Sequence, residues 1–580
     1  MPGKSLKNAS DAIIPSYRAL ADTLHAEGVK IFALLSHAGR NTIMSADGLP
    51  PKAPSAVSID RTRDVPHELE IEELPAIVAS FASATLRCKQ AGLDGASLSF
   101  VHGNLVQQFF SPVVNRRSDA YGGSEDNRLR FAREVLQACR QAVGPDFAFG
   151  IRFSAAELTP GGYSAEDGVR FAKKFVEWGK LDFIDVSAGD NGSMRSRSYH
   201  YPTIAVPSMT LVPLAARLRK ELKIPVLTVG KIGDLDEAEQ IIRDESADLV
   251  VMVRAHIAEP EIIAKTVAGR TDDIRHCIYC NESCFGRQQR VGDITCVYNP
   301  RSGRENRWPP LKESSAKKKV VVIGGGPAGL EAARTAARRG NAVTLFEKSD
   351  HLGGQIRLLS RTPYRSGYGK IADWLEYQLR KTECEIRLDS NLTADEIVAL
   401  RADVVVLATG SADERKDIPG SQRDNVVTVR EVLQGANLVG NKVVIGDWDA
   451  RHAGMSVAEL LAGRGLDVTI VTSAFYVGSD ADLMTWRASY ERLLALNVKM
   501  LPLHEVREIG QDDCVIEDVS GKATRIPSDS FVFCSRGVAD RPLYKQLSGR
   551  IPKLHAIGDC WAPRQLEQAI FEGANVGREI

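Results

Sequence analysis

Between residues 29 and 253 the chain repeats one pattern. A short apolar run is followed by a longer stretch whose apolar positions recur every three to four residues. The runs are VKIFALL (29–35), DGASLSF (94–100), FAFGIRF (147–153), LDFIDVS (181–187), IPVLTVG (224–230) and ADLVVMV (247–253). Stretches between them, such as EDNRLRFAREVLQACRQAV and SAEDGVRFAKKFVEWG, carry the single apolar stripe of an amphipathic helix. Strand and helix in alternation predict parallel strands joined by right-handed crossovers. A closed barrel of this kind needs eight units. With six runs, residues 1–270 are expected to form an α/β, TIM-type barrel that lacks its first two strands.

The pattern changes after residue 270. A cysteine-bearing segment and linker (271–310) leads through the polar stretch RWPPLKESSAKKK into VVVIGGGPAGLEAARTAARRG, which reads as strand, glycine turn and helix. Gly324, Gly326 and Gly329 form a GxGxxG fingerprint, and the next strand, NAVTLFE, ends on Glu347. In such a unit the glycines let the backbone approach a pyrophosphate at the helix N-terminus, while the carboxylate accepts hydrogen bonds from a ribose. The expected domain, 316–436, binds FAD or ADP and is completed by 550–580, where LHAIGDCWAPRQLEQAIFEGANVGREI supplies a strand, a Gly558-Asp559 turn and a returning helix. Residues 437–549 form a second Rossmann-like domain. In its stretch VVIGDWDARHAGMS, Asp447 and Trp448 stand where a pyrophosphate would approach, so NADH and NADPH are expected to be poor reductants.

Seventy-four basic residues balance seventy-four acidic ones, so no global charge favours nucleic acid or an anionic membrane. The N-terminus has no apolar leader core and no run approaches the length of a membrane span, which reads as a cytoplasmic protein acting on a small molecule. Four of the ten cysteines change the picture. Cys277, Cys280, Cys284 and Cys296 lie in CIYCNESCFGRQQRVGDITC, three thiolates close together and a fourth a short loop away, a spacing that suits a 4Fe-4S cluster. Structural zinc is the alternative, although zinc knuckles usually use two separated CxxC pairs. The other six cysteines follow no framework, as in a reducing compartment.

Taken together, HAGR (37–40), HGNLVQQFFSPVVNRRSDAYGGSEDNRLRF (102–131), IRFS (151–154), VRAHIAEP (253–260), the cysteine run, GGGPAGLEAA (324–333), HLGGQI (351–356), LATG (407–410) and IGDC (557–560) resemble the iron-sulfur branch of the old yellow enzyme superfamily. That branch includes trimethylamine dehydrogenases, N-methylproline demethylases and 2,4-dienoyl-CoA reductases. The resemblance implies FMN in the barrel, a 4Fe-4S cluster on the four cysteines, and FAD or ADP on the GxGxxG domain, with Gln355 and Asp559 among its contacts. It implies that Arg152 stabilises negative charge on a reduced FMN ring, and that Gly230, Lys231 and Arg254 hold the FMN phosphate.

In the substrate-facing segment the resemblance puts Ser99 where a catalytic His or Tyr usually stands and Asn104 where a proton-donating Tyr stands. His102 keeps an acid/base identity. Leu34 replaces a flavin-binding Gln, and with two strands absent FMN is expected to bind weakly or not at all. The expected function is an iron-sulfur flavoprotein oxidoreductase that N-demethylates a small N-methylated amine or amino acid. An NAD(P)H-dependent enoate or dienoyl-CoA reductase and a non-catalytic electron-transfer subunit are the alternatives. Expected partners are a small-molecule substrate, an electron-transfer protein and further copies of the chain in a homo-oligomer.

Overall fold

The computed structural model describes residues 6–42, 48–60, 64–290 and 292–580. They divide into two compact units, residues 1–255 and 256–580.

The first unit is built on six parallel strands that pair in the order in which they occur: Phe32–Leu35, Gly95–Phe100, Ala148–Ser154, Phe183–Ser187, Val226–Thr228 and Leu249–Val250. Each falls within one of the six apolar runs or one residue beyond it. Alternation decides what each face meets. Ala96, Leu98, Phe100, Phe149, Ile151, Phe153, Ile184 and Val186 belong to the apolar core, together with Phe110, Phe171 and Phe175. The opposite face carries Ser97, Ser99, Arg152, Ser154, Asp185 and Ser187, polar residues set in otherwise apolar strands. Register places Ser99, Arg152 and Asp185 in one row across three strands.

Serines fix the flanking helices. Ser124 caps Glu125–Val143 by accepting from the Asn127 amide, and Ser164 forms a capping box with Asp167 ahead of Ala165–Gly179. The two edge strands leave apolar side chains in solvent on the polar-face side: Leu34 is 50% exposed and Leu249 51%.

The second unit holds two parallel five-stranded sheets. In the first, Lys319–Ile323 lies between Ala342–Phe346 and Val404–Leu407, with Glu385–Arg387 and Leu554–Ala556 at the edges. The C-terminal segment therefore returns to this sheet, as the sequence pattern predicts. Its helix, Leu566–Glu579, packs on Pro327–Arg338 so closely that a Cβ at Gly573 would lie 2.3 Å from the Ala328 carbonyl oxygen. The second sheet runs Val426–Thr428, Ser530–Cys534, Lys442–Asp447, Asp467–Thr472, Lys499–Pro502. A three-stranded antiparallel sheet, His504–Ile509, Asp513–Asp518 and Ala523–Pro527, accompanies it.

Candidate active site and cofactor sites

In the second unit a cavity of about 1170 Å³ is lined by Gly324, Gly326, Glu347, Gln355 and Asp559, all residues singled out from the sequence. Gly324 takes φ +105°, and a Cβ there would lie 2.3 Å from the Ala408 carbonyl oxygen. Gly326 precedes the helix Pro327–Arg338 without a side-chain cap, and a Cβ on it would meet nothing within 4 Å. The helix N-terminus thus opens onto free space, the arrangement that receives a phosphate. Glu347 accepts from the amides of Gly325 (2.6 Å) and Ser349 (2.9 Å), one to each oxygen, which fixes its carboxylate and leaves lone pairs for ribose hydroxyls. Gln355 donates to Ser411 Oγ and Asp559 Oδ2. Burial pushes the Asp559 carboxyl up from its ordinary range. These residues fit an adenine dinucleotide.

The cysteine segment folds within the same unit. Tyr279 (φ +57°) and Asn281 (φ +61°) bend the chain sharply on either side of Cys280, and Cys284 sits in the π-helical turn Glu282–Gly286. Neighbouring elements hold this loop: Thr485 donates to the Cys280 carbonyl oxygen, Thr295 to Glu567, and the buried Tyr368 hydroxyl to Glu282. Amides of Tyr279 and Tyr298 point at the sulfurs of Cys277 and Cys296, each at 3.4 Å, donors that favour thiolate charge. Burial pushes the Cys296 thiol up to about 11 and the Cys280 thiol further, with charge on Cys284 adding to both. Among the described residues no cysteine is in a disulfide, and no group of three or more His, Cys, Asp or Glu side chains is arranged to hold a metal ion. The donor chemistry fits a thiolate-bound cluster.

In the first unit His102, at φ +58°, follows the strand Gly95–Phe100. Its amide donates to Ser154 Oγ, its Nε2 lies 2.8 Å from Ser187 Oγ, and its ring stacks on that of His200. Burial, reinforced by the charge of Arg152, holds the His102 pKa well below 6.5, and burial does the same for His200, so both rings are neutral at pH 7. Asn104 donates to Ser99 Oγ at 2.7 Å. Arg152 Nε faces Asp185 Oδ2 at 3.4 Å, and burial raises the Asp185 pKa. Arg152 Nε, Asp185 Oδ1 and Ser97 Oγ are buried without hydrogen-bond partners, as expected of a face built to receive a polar ring.

The phosphate end differs. Gly230 (φ +129°), Lys231 and Arg254 follow the last two strands, but Lys231 Nζ donates to the carbonyl oxygens of Thr203, Ile204 and Val206, and Arg254 Nη1 to that of Pro202. FMN therefore fits this face at the ring end and not, in this conformation, at the phosphate end. His200, Ser187 and Asp185 were not singled out from the sequence. Asp185 had a signal, a lone carboxylate in an apolar run; His200 sits on the helix Met194–His200, whose sequence has no apolar period.

Trp448 departs from expectation. Its amide donates to the Cys534 carbonyl oxygen and its ring stacks on Phe533 at 5.4 Å, so it packs in the core and leaves the turn to Asp447.

A parallel sheet with a polar face of buried groups that lack hydrogen-bond partners, followed by a dinucleotide cradle, defines a flavin-dependent oxidoreductase. The chain belongs to the NADH:flavin oxidoreductase / NADH oxidase family, which matches residues 4–273, and residues 318–573 match the pyridine nucleotide-disulphide oxidoreductase domain. It is 34% identical to the N,N-dimethylglycine/sarcosine dehydrogenase of Chromohalobacter salexigens, over 99% of this chain and 89% of that protein. With the NADH oxidase of Thermoanaerobacter brockii it shares 35% identity over 99% of this chain and 88% of that one. The structure of a 2-naphthoyl-CoA reductase complex superposes with a TM-score of 0.91 at 30% identity, covering 98% of this chain and 88% of that one. Among the described residues no helix is long and apolar enough to cross a membrane.

Proposed function

We propose that this chain is a dehydrogenase that removes a methyl group from a small N-methylated amine or amino acid. The observation that carries this reading is the neutral His102, held by Ser187 beside Arg152. An amine loses hydride from its methyl carbon only as the free base, and a neutral imidazole beside Arg152 disfavours the ammonium form, so the amine binds as the free base with its proton left in solvent. Reduction of an activated alkene needs the reverse, an acid. Ser99, His102 and Asn104 supply none: a hydroxyl, a ring without its extra proton, and an amide. Loss of hydride from the methyl carbon leaves an iminium, water adds to its carbon, the C–N bond breaks, and the products are the demethylated amine, formaldehyde, two electrons and two protons.

FMN, when bound, supplies the two-electron acceptor. Arg152 would face its ring, with Gly230, Lys231 and Arg254 at its phosphate once residues 202–206 release the two cations. Cys277, Cys280, Cys284 and Cys296 would hold a 4Fe-4S cluster, a reading supported by the donors aimed at two of the sulfurs. Gly324, Gly326, Gly329, Glu347, Gln355 and Asp559 would hold FAD. A protein carrier would remove the electrons one at a time. The similarity to a dimethylglycine/sarcosine dehydrogenase supports the amine side.

The experiment is anaerobic incubation with N-methylated amino acids and a dye acceptor, with formaldehyde as readout. Turnover of an enoyl thioester with NADH, and none with amines, would overturn the proposal.

A further inference from the structure

The two nucleotide-binding-like turns of the second unit are filled differently. In the first, the helix N-terminus behind Gly326 opens onto a cavity that also reaches Asp449, Arg451, His452 and Ala453 of the second. In the second, between the strand Lys442–Asp447 and the helix His452–Ala462, the chain's own carboxylate occupies the turn. Asp447 is 1% exposed, and its Oδ1 accepts from the amides of Asp449 (3.1 Å) and Ala450 (3.0 Å). A Cβ on Gly454, in the first turn of that helix, would lie 2.9 Å from the Asp447 carboxyl carbon. An anion thus already sits against the helix N-terminus and takes the loop amides that a pyrophosphate would use. Asp449 adds a second carboxylate nearby, paired with Arg536 at 3.1 Å.

We infer that Asp447 is a specificity residue: its carboxylate stands in for a dinucleotide pyrophosphate, so the second domain refuses NADH and NADPH and electrons leave to an acceptor that is not a nicotinamide. The inference deepens the dehydrogenase reading and rests on it for the direction of electron flow. Exclusion has two parts. The two loop amides are taken by Asp447, and a phosphate that enters the cavity beside Asp449, Arg451 and His452 meets the carboxylates of Asp447, behind the turn, and of Asp449, already paired with Arg536. Trp448, packed on Phe533, takes no part.

The test uses the full chain loaded with FAD, so that the first cradle is occupied, and titrates NADH and NADPH by calorimetry with no amine present. The native chain should show no saturable binding up to about 1 mM, the weak end of ordinary affinities. Asp447→Gly should bind at least about tenfold tighter than the native chain, because the charge is gone and the two loop amides are released. Asp447→Asn, which keeps an oxygen for the loop amides, should gain less than Asp447→Gly. Retained FAD and an unchanged circular dichroism spectrum verify folding, and Asp447→Ser, which leaves one hydroxyl for the amides, replaces the glycine variant if that one does not fold. Micromolar binding of either nucleotide to the native chain, or a folded small variant that binds no tighter than native, would overturn the inference. Because no amine takes part, failure of the demethylation assay leaves this result standing, and the reverse holds.

Discussion

The imidazoles of His102 and His200 lie face to face, with centroids 3.5 Å apart and planes within 2° of parallel. Two neutral rings tolerate this contact, whereas two imidazolium ions would repel each other without water between them. Both pKa values are held below 6.5 in the folded chain, chiefly by burial. The unfolded chain, with histidines near 6.5, therefore binds more protons than the folded one as pH falls through that value. Stability is lost toward acid, at up to about 1.4 kcal/mol per pH unit for each histidine. Urea midpoints of the intact chain should fall between pH 7.5 and 5.5. His200→Phe, which keeps a flat ring over His102, should reduce that dependence by roughly half. An unchanged pH dependence in the variant would show that His200 titrates normally.

Gly326 and Gly329 belong to one fingerprint but fail in different ways. At Gly326 a side chain enters empty cavity, so Gly326→Val should fold with an unchanged melting temperature and carry little FAD. At Gly329 a Cβ would lie 1.9 Å from the Gly324 carbonyl oxygen, so Gly329→Val should destabilise the domain by more than about 2 kcal/mol. Flavin extracted per chain and thermal melting, read side by side, separate the two effects. Full FAD occupancy in Gly326→Val would remove the assignment.

The contrast shows what the sequence made legible. Strand, glycine turn, helix and acidic residue are local, so spacing alone located the first cradle, and each barrel strand was visible as an apolar run. Residues that act across long separations were not visible. His200 reaches His102 from a polar helix with no apolar period, and Lys231 meets the carbonyl oxygens of Thr203, Ile204 and Val206 only once the chain has folded back. Asp447 was noted as a charge in the wrong place, but its burial and its two amide partners needed coordinates. For Trp448, bulk was read as obstruction when the ring has a core partner in Phe533. Side-chain direction at a turn is set by what the core can accept, which a linear pattern does not record.

The four cysteines around Cys284 are expected to bind iron rather than zinc. Anaerobically purified chain should contain about four irons and four acid-labile sulfides, the content of one cubane cluster. Cys284→Ala should lose both, while FAD stays bound because Gly324, Gly326 and Glu347 lie on a sheet with its own core. Zinc without sulfide would point to the structural alternative.

The last prediction concerns the phosphate end of the FMN face. Charge-assisted hydrogen bonds contribute roughly 1.5 to 3 kcal/mol each, so two cations free to hold a phosphate would favour FMN over riboflavin by 100-fold or more. Here Lys231 and Arg254 already donate to carbonyl oxygens of residues 202–206, and to bind phosphate they must first give up those bonds. The ring end is unaffected, since Arg152 and Ser97 keep buried polar atoms without hydrogen-bond partners. FMN and riboflavin should therefore bind the FAD-loaded chain with affinities within about tenfold of each other, and purified protein should hold FMN below one equivalent. Fluorescence titration of both flavins, with acid extraction to separate FMN from FAD, measures this. A preference for FMN above 100-fold would mean that residues 202–206 withdraw on binding, and stoichiometric FMN in purified protein would mean that they already have.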